Sequence, residues 1–415
     1  MSQKQTIKPE LFFLICALFF GVAFLVVTPP FQVPDEFNHF YRSYQISEGQ
    51  FIPERTKNRL GGYLPKALKT FGDSYFYLAG KTDAKISFHE ILKKDTLLNT
   101  KEREWFDFPN TAIYSPLNYI PQAFGIALIR IFTNSLLSIF YGSRLVTLLF
   151  WITLIYFAIK SSPVFKWLIA ILALLPMSLY INSSLSGDVV NNAMCFLFIS
   201  MVLKYSTQEG SVWWKPLVIL TVMGAIICNL KLVYAPVLLL MLLLSPKQFP
   251  SKKHYYFSAC LVLIICTFSA LASYSSLNQL YIPGAAYAEE AGWVHLIAEA
   301  DKDLQLQLML KDPAYGFSVL YKTFWYTSPM VLENYIGTFG WLETKLPLWT
   351  IISGYALILI MLLSSTIQLS LAKRLLFFSA FLLMSCLVII SQHLNWDSVG
   401  SERVWTLQGR YFIPI

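Results

Sequence analysis

The chain has 415 residues, of which 56% are apolar and 13% charged, whereas soluble globular proteins carry roughly 45–50% and roughly 25%. That balance argues against a cytosolic enzyme or a nucleic-acid-binding domain. The formal charge is +8, but the positions of the basic residues carry more information than their sum.

A bilayer core about 30 Å thick needs roughly 20 apolar residues per helix. Runs that meet or approach this length lie at 11–28, 141–160, 166–182, 188–204, 215–230, 231–246, 255–274, 348–369 and 373–393. The first is too long for a signal peptide and is followed by no small-residue cleavage site. It ends at Thr28-Pro29-Pro30, because proline cannot extend a helix. Within 215–246, Asn229, Lys231 and Pro236 interrupt the pattern, and two short helices or one broken helix both fit. The expected fold is an all-α polytopic membrane bundle of about 9–10 transmembrane helices.

Two stretches differ in composition. Residues 29–112 hold 12 Lys+Arg and 11 Asp+Glu, and residues 276–347 hold 4 Lys and 8 Asp+Glu. The short links and the N-terminus carry Lys4, Lys8, Lys160, Lys166, Lys204, Lys215, Lys247, Lys252, Lys253, Lys373 and Arg374, against the acids Glu10 and Glu209. By the positive-inside rule these ends are cytoplasmic and both charged stretches are large outer loops. The positive charge is thus a topology signal, and no nucleic-acid partner is expected.

This parity requires that 113–133 stay on the outer side. Pro116 and Pro121 followed by an apolar helix up to Arg130 suit a juxtamembrane helix, the alternative being a kinked span. The expected organisation is 1–28 (cytoplasmic N-terminus and first span), 29–140 (first outer loop with juxtamembrane helices), 141–275 (spans two to seven), 276–347 (second outer loop) and 348–415 (C-terminal spans, the last apparently cut short after Ile415).

The six cysteines lie in apolar runs with no CxxC or metal-ligand spacing, and read as small buried hydrophobes without disulfides. Walker A, GxGxxG, GxSxG and HExxH patterns are absent from the sequence. Glu289, Glu290, Asp301 and Asp303 read as solvated loop charges, and His254 and His393 as interfacial side chains.

Three polar clusters remain at the outer ends of spans, where ionisable groups suggest function. The first is Pro34-Asp35-Glu36-Phe37-Asn38-His39 with Arg42. Pro34 sets up a helix start, and acids suit its positive end. Positions 35, 39 and 42 then share a face, unless the segment is merely a cap with a solvated side. The second is Ser186-Gly187-Asp188 with Asn191 and Asn192, a large polar load that a cap alone does not use. The third is Gln408-Gly409-Arg410-Tyr411, where a guanidinium could clamp a phosphate, or simply snorkel to headgroups. Lys231 has a similar place.

Together with Phe412-Ile413-Pro414, these three clusters resemble a family of bacterial multi-pass membrane proteins of unknown function, itself similar to the GT-C glycosyltransferases. The resemblance covers nearly the whole chain in order. It implies a GT-C-like bundle with outer juxtamembrane helices, an outer-face site in a bacterial cell membrane, a polyprenyl-phosphate sugar as donor and a surface-glycan or lipid-linked acceptor. It implies Asp35 as general base with Glu36 competing, and Asp188 to orient the acceptor, hold a metal or support the first loop. Arg410 is the first choice for the donor phosphate, with Arg42, Lys231, His39 and Tyr411 behind it, and Asn191, Asn192 and Gln408 line the substrate. A divalent metal is allowed, since some relatives need one and others do not. A lipid-linked-sugar transporter or flippase and a glycan polymerase or ligase are the competing classes.

Overall fold

The computed structural model describes residues 7–209, 214–284, 286, 299–364 and 369–415. Glu289 and Glu290 lie outside the described residues.

Helix α1 (Pro9–Val27) starts on a proline at its first turn and is apolar throughout. The following loop folds as a compact cap. It contains α2 (Glu36–Ser47), strands β1 (Glu54–Thr56) and β2 (Arg59–Pro65), α3 (Lys66–Phe76), α4 (Phe88–Lys93), β3 (Arg103–Asp107) and the short α5 (Pro109–Ala112). The strands form an antiparallel sheet in the order β1-β2-β3. The fold is mainly helical, as hydropathy predicts, and these short strands are confined to the charged loop after α1. Phe31, Phe40, Phe71 and Phe140 form the aromatic heart of this cap.

A 3-10 turn (Pro116–Tyr119) leads into α6 (Ile120–Ile129). At ten residues, about 15 Å, α6 is too short to cross a bilayer. It packs on α2 and on the next helix, α7 (Leu136–Ser161). The expected span at 166–182 is broken into α8 (Lys166–Ala173) and α9 (Pro176–Asn182), since Pro176 cannot donate to the preceding turn. Helix α10 (Asp188–Thr207) follows.

The ambiguous run at 215–246 is two segments, α11 (Trp214–Leu230) and a 3-10 helix (Leu232–Leu243) containing Pro236, which part at Lys231. At about 2.0 Å per residue the second covers roughly 24 Å, further than an α-helix of that length would. Next come α12 (Lys252–Asn278), α13 (Lys302–Lys311), α14 (Pro313–Gly337), the two-stranded β4 (Thr338–Phe339) and β5 (Thr344–Lys345), α15 (Leu348–Leu363), α16 (Leu371–Trp396) and a last 3-10 turn (Gly409–Phe412).

Among the described residues, α1, α7, α10, α12 up to Ala272, and α16 are long and apolar enough to cross a membrane. The shorter apolar helices are α11, the 232–243 helix and α15. The protein is thus a helical membrane protein. Within the second charged stretch, most of the described residues fall in α13 and α14. Asp301 caps α13 by accepting from the Asp303 and Leu304 amides, and α14 exposes Phe317, Tyr321, Phe324 and Trp325 along one side.

One core cluster joins α10–α12 with α16, and another joins α1 with α7–α10. All six cysteines are free, with Cys195, Cys228 and Cys266 buried and Cys260 exposed.

Candidate functional site

The chain after α1 turns sharply at Pro29-Pro30, and Asp35 adopts a left-handed backbone (φ +65°) just ahead of α2. Asp35 and Glu36 therefore diverge. Glu36 is fully buried and ion-paired with the equally buried Arg144 of α7. Arg144 Nε lies 2.9 Å and Nη2 2.5 Å from the two carboxylate oxygens. The carboxylate also accepts from the backbone amides of Phe31 and Leu185, each at 3.1 Å. The guanidinium spends its remaining donors on the carbonyls of Leu25, Thr28 and Pro29. This knot ties the end of α1, the start of α2, α7 and the loop before α10. The reading of the sequence missed Arg144; a single charge inside an apolar run was the available signal.

Asp35 faces the other way. Its side chain is 35% exposed, and one oxygen sits 2.8 Å from Arg410 Nη2. The other accepts from Asn110 Nδ2 at 3.2 Å. Arg410 also donates to the Pro34 carbonyl at 3.3 Å, and its Nη1 lies 4.0 Å from Asp188. Asp188 pairs with Lys231, whose ammonium sits 4.9 Å from the Tyr114 ring and 5.7 Å from the Tyr411 ring. Residues from four distant parts of the chain thus form one alternating cluster, Asp35–Arg410–Asp188–Lys231.

Gly409 explains the start of the last turn. A Cβ there would come within 2.2 Å of the Tyr335 nitrogen and 2.6 Å of the Val331 carbonyl, so only glycine lets Arg410 be delivered against α14.

His39 is buried beside this cluster. Its Nδ1 accepts the Gly187 amide at 3.3 Å and meets the Tyr119 hydroxyl at 3.0 Å, which leaves the ring proton on Nε2. Burial lowers its pKa to about 4, outweighing the pull of Asp35 and Asp188, while Arg410 and Lys231 push the same way as burial. At neutral pH it is an uncharged hydrogen-bonding group. The unfolded chain, by contrast, protonates this histidine near its ordinary value of 6.5. The stability tied to a neutral His39 is therefore complete above that value and is lost as pH falls through the window down to about 4. The loss is on the order of 3 kcal/mol. His39→Gln, which keeps an acceptor, is expected to flatten that part of a melting-temperature-versus-pH curve; an unchanged slope would assign the acid sensitivity to other groups.

Arg42 does not join its expected partners. Because Asp35 lies outside the helix, the anticipated 35/39/42 face does not form. Arg42 is buried, donating to Gln45 Oε1 at 2.5 Å and the Phe51 carbonyl at 2.6 Å, and burial lowers its pKa to about 10. It braces the cap.

The wall around the cluster is rich in unused polar atoms. Both amide atoms of Asn191, one turn after Asp188, make no hydrogen bond among the described residues, nor do Asn192 Oδ1, Gln408 Oε1 and Arg410 Nε. Buried polar atoms are normally paired, so these side chains have hydrogen-bonding capacity to spare. Asn192 is half used, donating to Asn182 at 3.3 Å. Tyr411 fixes the wall through its carbonyl, which accepts from Tyr234 at 2.8 Å. Asn118 and Gln122, unmarked in the sequence reading, hold the 186–187 turn by donating to the Gly187 and Ser186 carbonyls.

A resident metal does not fit these donors. Asp35 and Asp188 are both engaged by cations, and among the described residues no group of three or more His, Cys, Asp or Glu could hold a metal ion.

A family model described as a predicted membrane protein, DUF2142, matches residues 18–415. No curated protein and no solved structure matches the chain.

Proposed function

The chain belongs to the DUF2142 family of predicted membrane proteins, and we propose that it is a membrane glycosyltransferase. In this reading a sugar passes from a polyprenyl-phosphate donor to a hydroxyl of a surface-glycan or lipid-linked acceptor, with inversion. The observation that carries the reading is the accessible Asp35 carboxylate held 2.8 Å from the buried Arg410 guanidinium, beside amides with unused hydrogen-bonding capacity. The lysine-rich opposite ends support a location on the outer face of a bacterial cell membrane.

In the proposed reaction the acceptor oxygen attacks the anomeric carbon while Asp35 takes its proton. The bond from that carbon to the donor phosphate breaks, and the electron pair leaves with the phosphate. Arg410 and Lys231 hold the charge that develops there. Asp188 stands between the two cations and aims them. The donor phosphate competes with Asp35 for Arg410, so seating the donor also frees the base. Asn191, Asn192 and Gln408 offer donors and acceptors for sugar hydroxyls. Neutral His39 supports the wall and offers a hydrogen bond, without an ionic one.

The test is transfer of a labelled sugar from a small panel of polyprenyl-phosphate sugars by purified, detergent-solubilised protein. Turnover with at least one donor, with inversion at the anomeric carbon, is the expected result. No turnover with any donor, together with movement of a lipid-linked sugar across reconstituted vesicles, would replace this reading with a flippase.

A further inference from the structure

Helix α14 belongs to a stretch that reads from the sequence as an acidic outer loop, yet both of its ends are fastened to the ends of spans. Near its start, the Tyr315 hydroxyl lies 2.9 Å from Nε2 of His393, in the last turn of α16. His393 is fully buried there, where the sequence suggested an interfacial side chain. Just past the other end, the Phe339 ring packs on Phe24 in the last turn of α1, with centroids 5.3 Å apart, and on Tyr180 of α9 at 4.9 Å. Trp341 Nε1 then donates to the Phe31 carbonyl, just beyond α1, at 3.1 Å.

Lys8 stands at the start of α1, and Lys373 and Arg374 at the start of α16. By the positive-inside rule both spans therefore end on the same side. A helix of 25 residues is about 37 Å long, and one held at both ends on one side of the bilayer does not cross it. Helix α14 instead lies along the outer boundary of the spans. Its Val319 packs into the same core cluster as α10, α12 and α16, which keeps it down at the level of the membrane.

The sides of this helix differ. At about 100° per residue, positions 317, 321, 324, 325 and 332 fall in one stripe. Phe317, Tyr321, Phe324 and Trp325 are between 64% and 74% exposed. The opposite side is buried and polar, with Thr323, Thr327 and Asn334. There Thr323 accepts the Val404 amide at 2.9 Å, and the backbone at Val331, Asn334 and Tyr335 carries Gly409. A charged edge lies between the two. Lys322 pairs with Glu402 at 2.9 Å, and the Arg403 guanidinium lies 3.8 Å from the Trp405 ring and 5.4 Å from the Tyr326 ring.

Large apolar rings seldom line up side by side on a surface that faces water. Tryptophan and tyrosine collect at the bilayer boundary, and a helix lying in that boundary sinks its apolar face among the acyl chains while its charged edge stays with the headgroups. We propose that α14 is such a helix, with the edge formed by Phe317, Tyr321, Phe324 and Trp325 seated in the outer leaflet and Lys322 and Arg403 at headgroup level. The partner is phospholipid. Because Gly409 rests on the α14 backbone, the seating also sets the depth of the turn that carries Arg410. This inference does not depend on the reaction assigned to the site.

Photo-crosslinking of the full chain in vesicles of radiolabelled phosphatidylcholine and phosphatidylglycerol tests it. p-Benzoylphenylalanine is introduced at Tyr321 and, separately, at Trp325. Each exchanges one exposed aromatic side chain for another, so folding is preserved. Phe268, exposed on the α12 span, is the lipid-facing reference, and Tyr63, exposed beside the Glu48–Arg103 ion pair of the cap, is the water-facing one. Irradiation should attach labelled lipid at 321 and 325 at a level close to that at 268 and about tenfold above that at 63, in line with the free energy of burying one aromatic side chain. Labelling at the Tyr63 level at either position, or an adduct to a second copy of the chain in place of lipid, would overturn the seating.

Discussion

Glu36→Gln is expected to lower the yield and melting temperature of the protein severely, because it leaves the Arg144 guanidinium buried without its counter-charge. Removing one partner of a buried, hydrogen-bonded ion pair costs about 3–5 kcal/mol, a large share of the roughly 5–15 kcal/mol by which domains are stable. Glu36 accepts from Arg144 and from two backbone amides, so the loss would reach α1, α7 and the 185–187 turn together. Arg144→Met should do the same. The charge-free double variant should recover part of the loss, since neither charge is then stranded. Fluorescence-detected size-exclusion and thermal melting of the three variants measure this. A Glu36→Gln protein that melts like wild type yet fails to turn over would instead make Glu36 the base.

Asp35→Asn is expected to behave in the opposite way. Its side chain is part-exposed and leaves no buried charge fully uncompensated, because Arg410 retains the Pro34 carbonyl and Asp188 nearby. Folding should survive. In the transfer assay turnover should drop about 10²- to 10⁴-fold, the usual contribution of a general base. Donor binding should hold or tighten, because the phosphate no longer competes with a carboxylate for Arg410. Weaker donor binding with unchanged turnover would remove Asp35 from the role of base. These two neighbouring acids thus have separable signatures, stability for one and turnover for the other.

The candidate groups were legible one by one. Asp35, Asp188, Lys231 and Arg410 stand at the ends of apolar runs, where a charge has no reason to be cheap. Their pairing was not legible, because it depends on which span ends meet. Arg42 was misplaced for a local reason: one left-handed residue at Asp35 removes it from the helical register that the 4-and-3 spacing assumes. Arg144 was hidden inside a run counted as apolar. The break at Lys231 was visible as Asn229, Lys231 and Pro236, but only packing decided that it separates an α-helix from a 3-10 helix.

Hydropathy by itself determined that this is a helical membrane protein with two polar loops, because lipid requires backbone groups to be satisfied within each crossing segment. It also marked the polar positions that lipid does not explain. Tertiary structure alone decided which of those positions pair with one another. Glu36 is locked by a guanidinium 108 residues away, and Asp35 is left open beside one 375 residues away. Adjacent carboxylates of nearly identical chemistry end in different surroundings, set by burial and by the partner each one meets, and neither can be read from a single sequence.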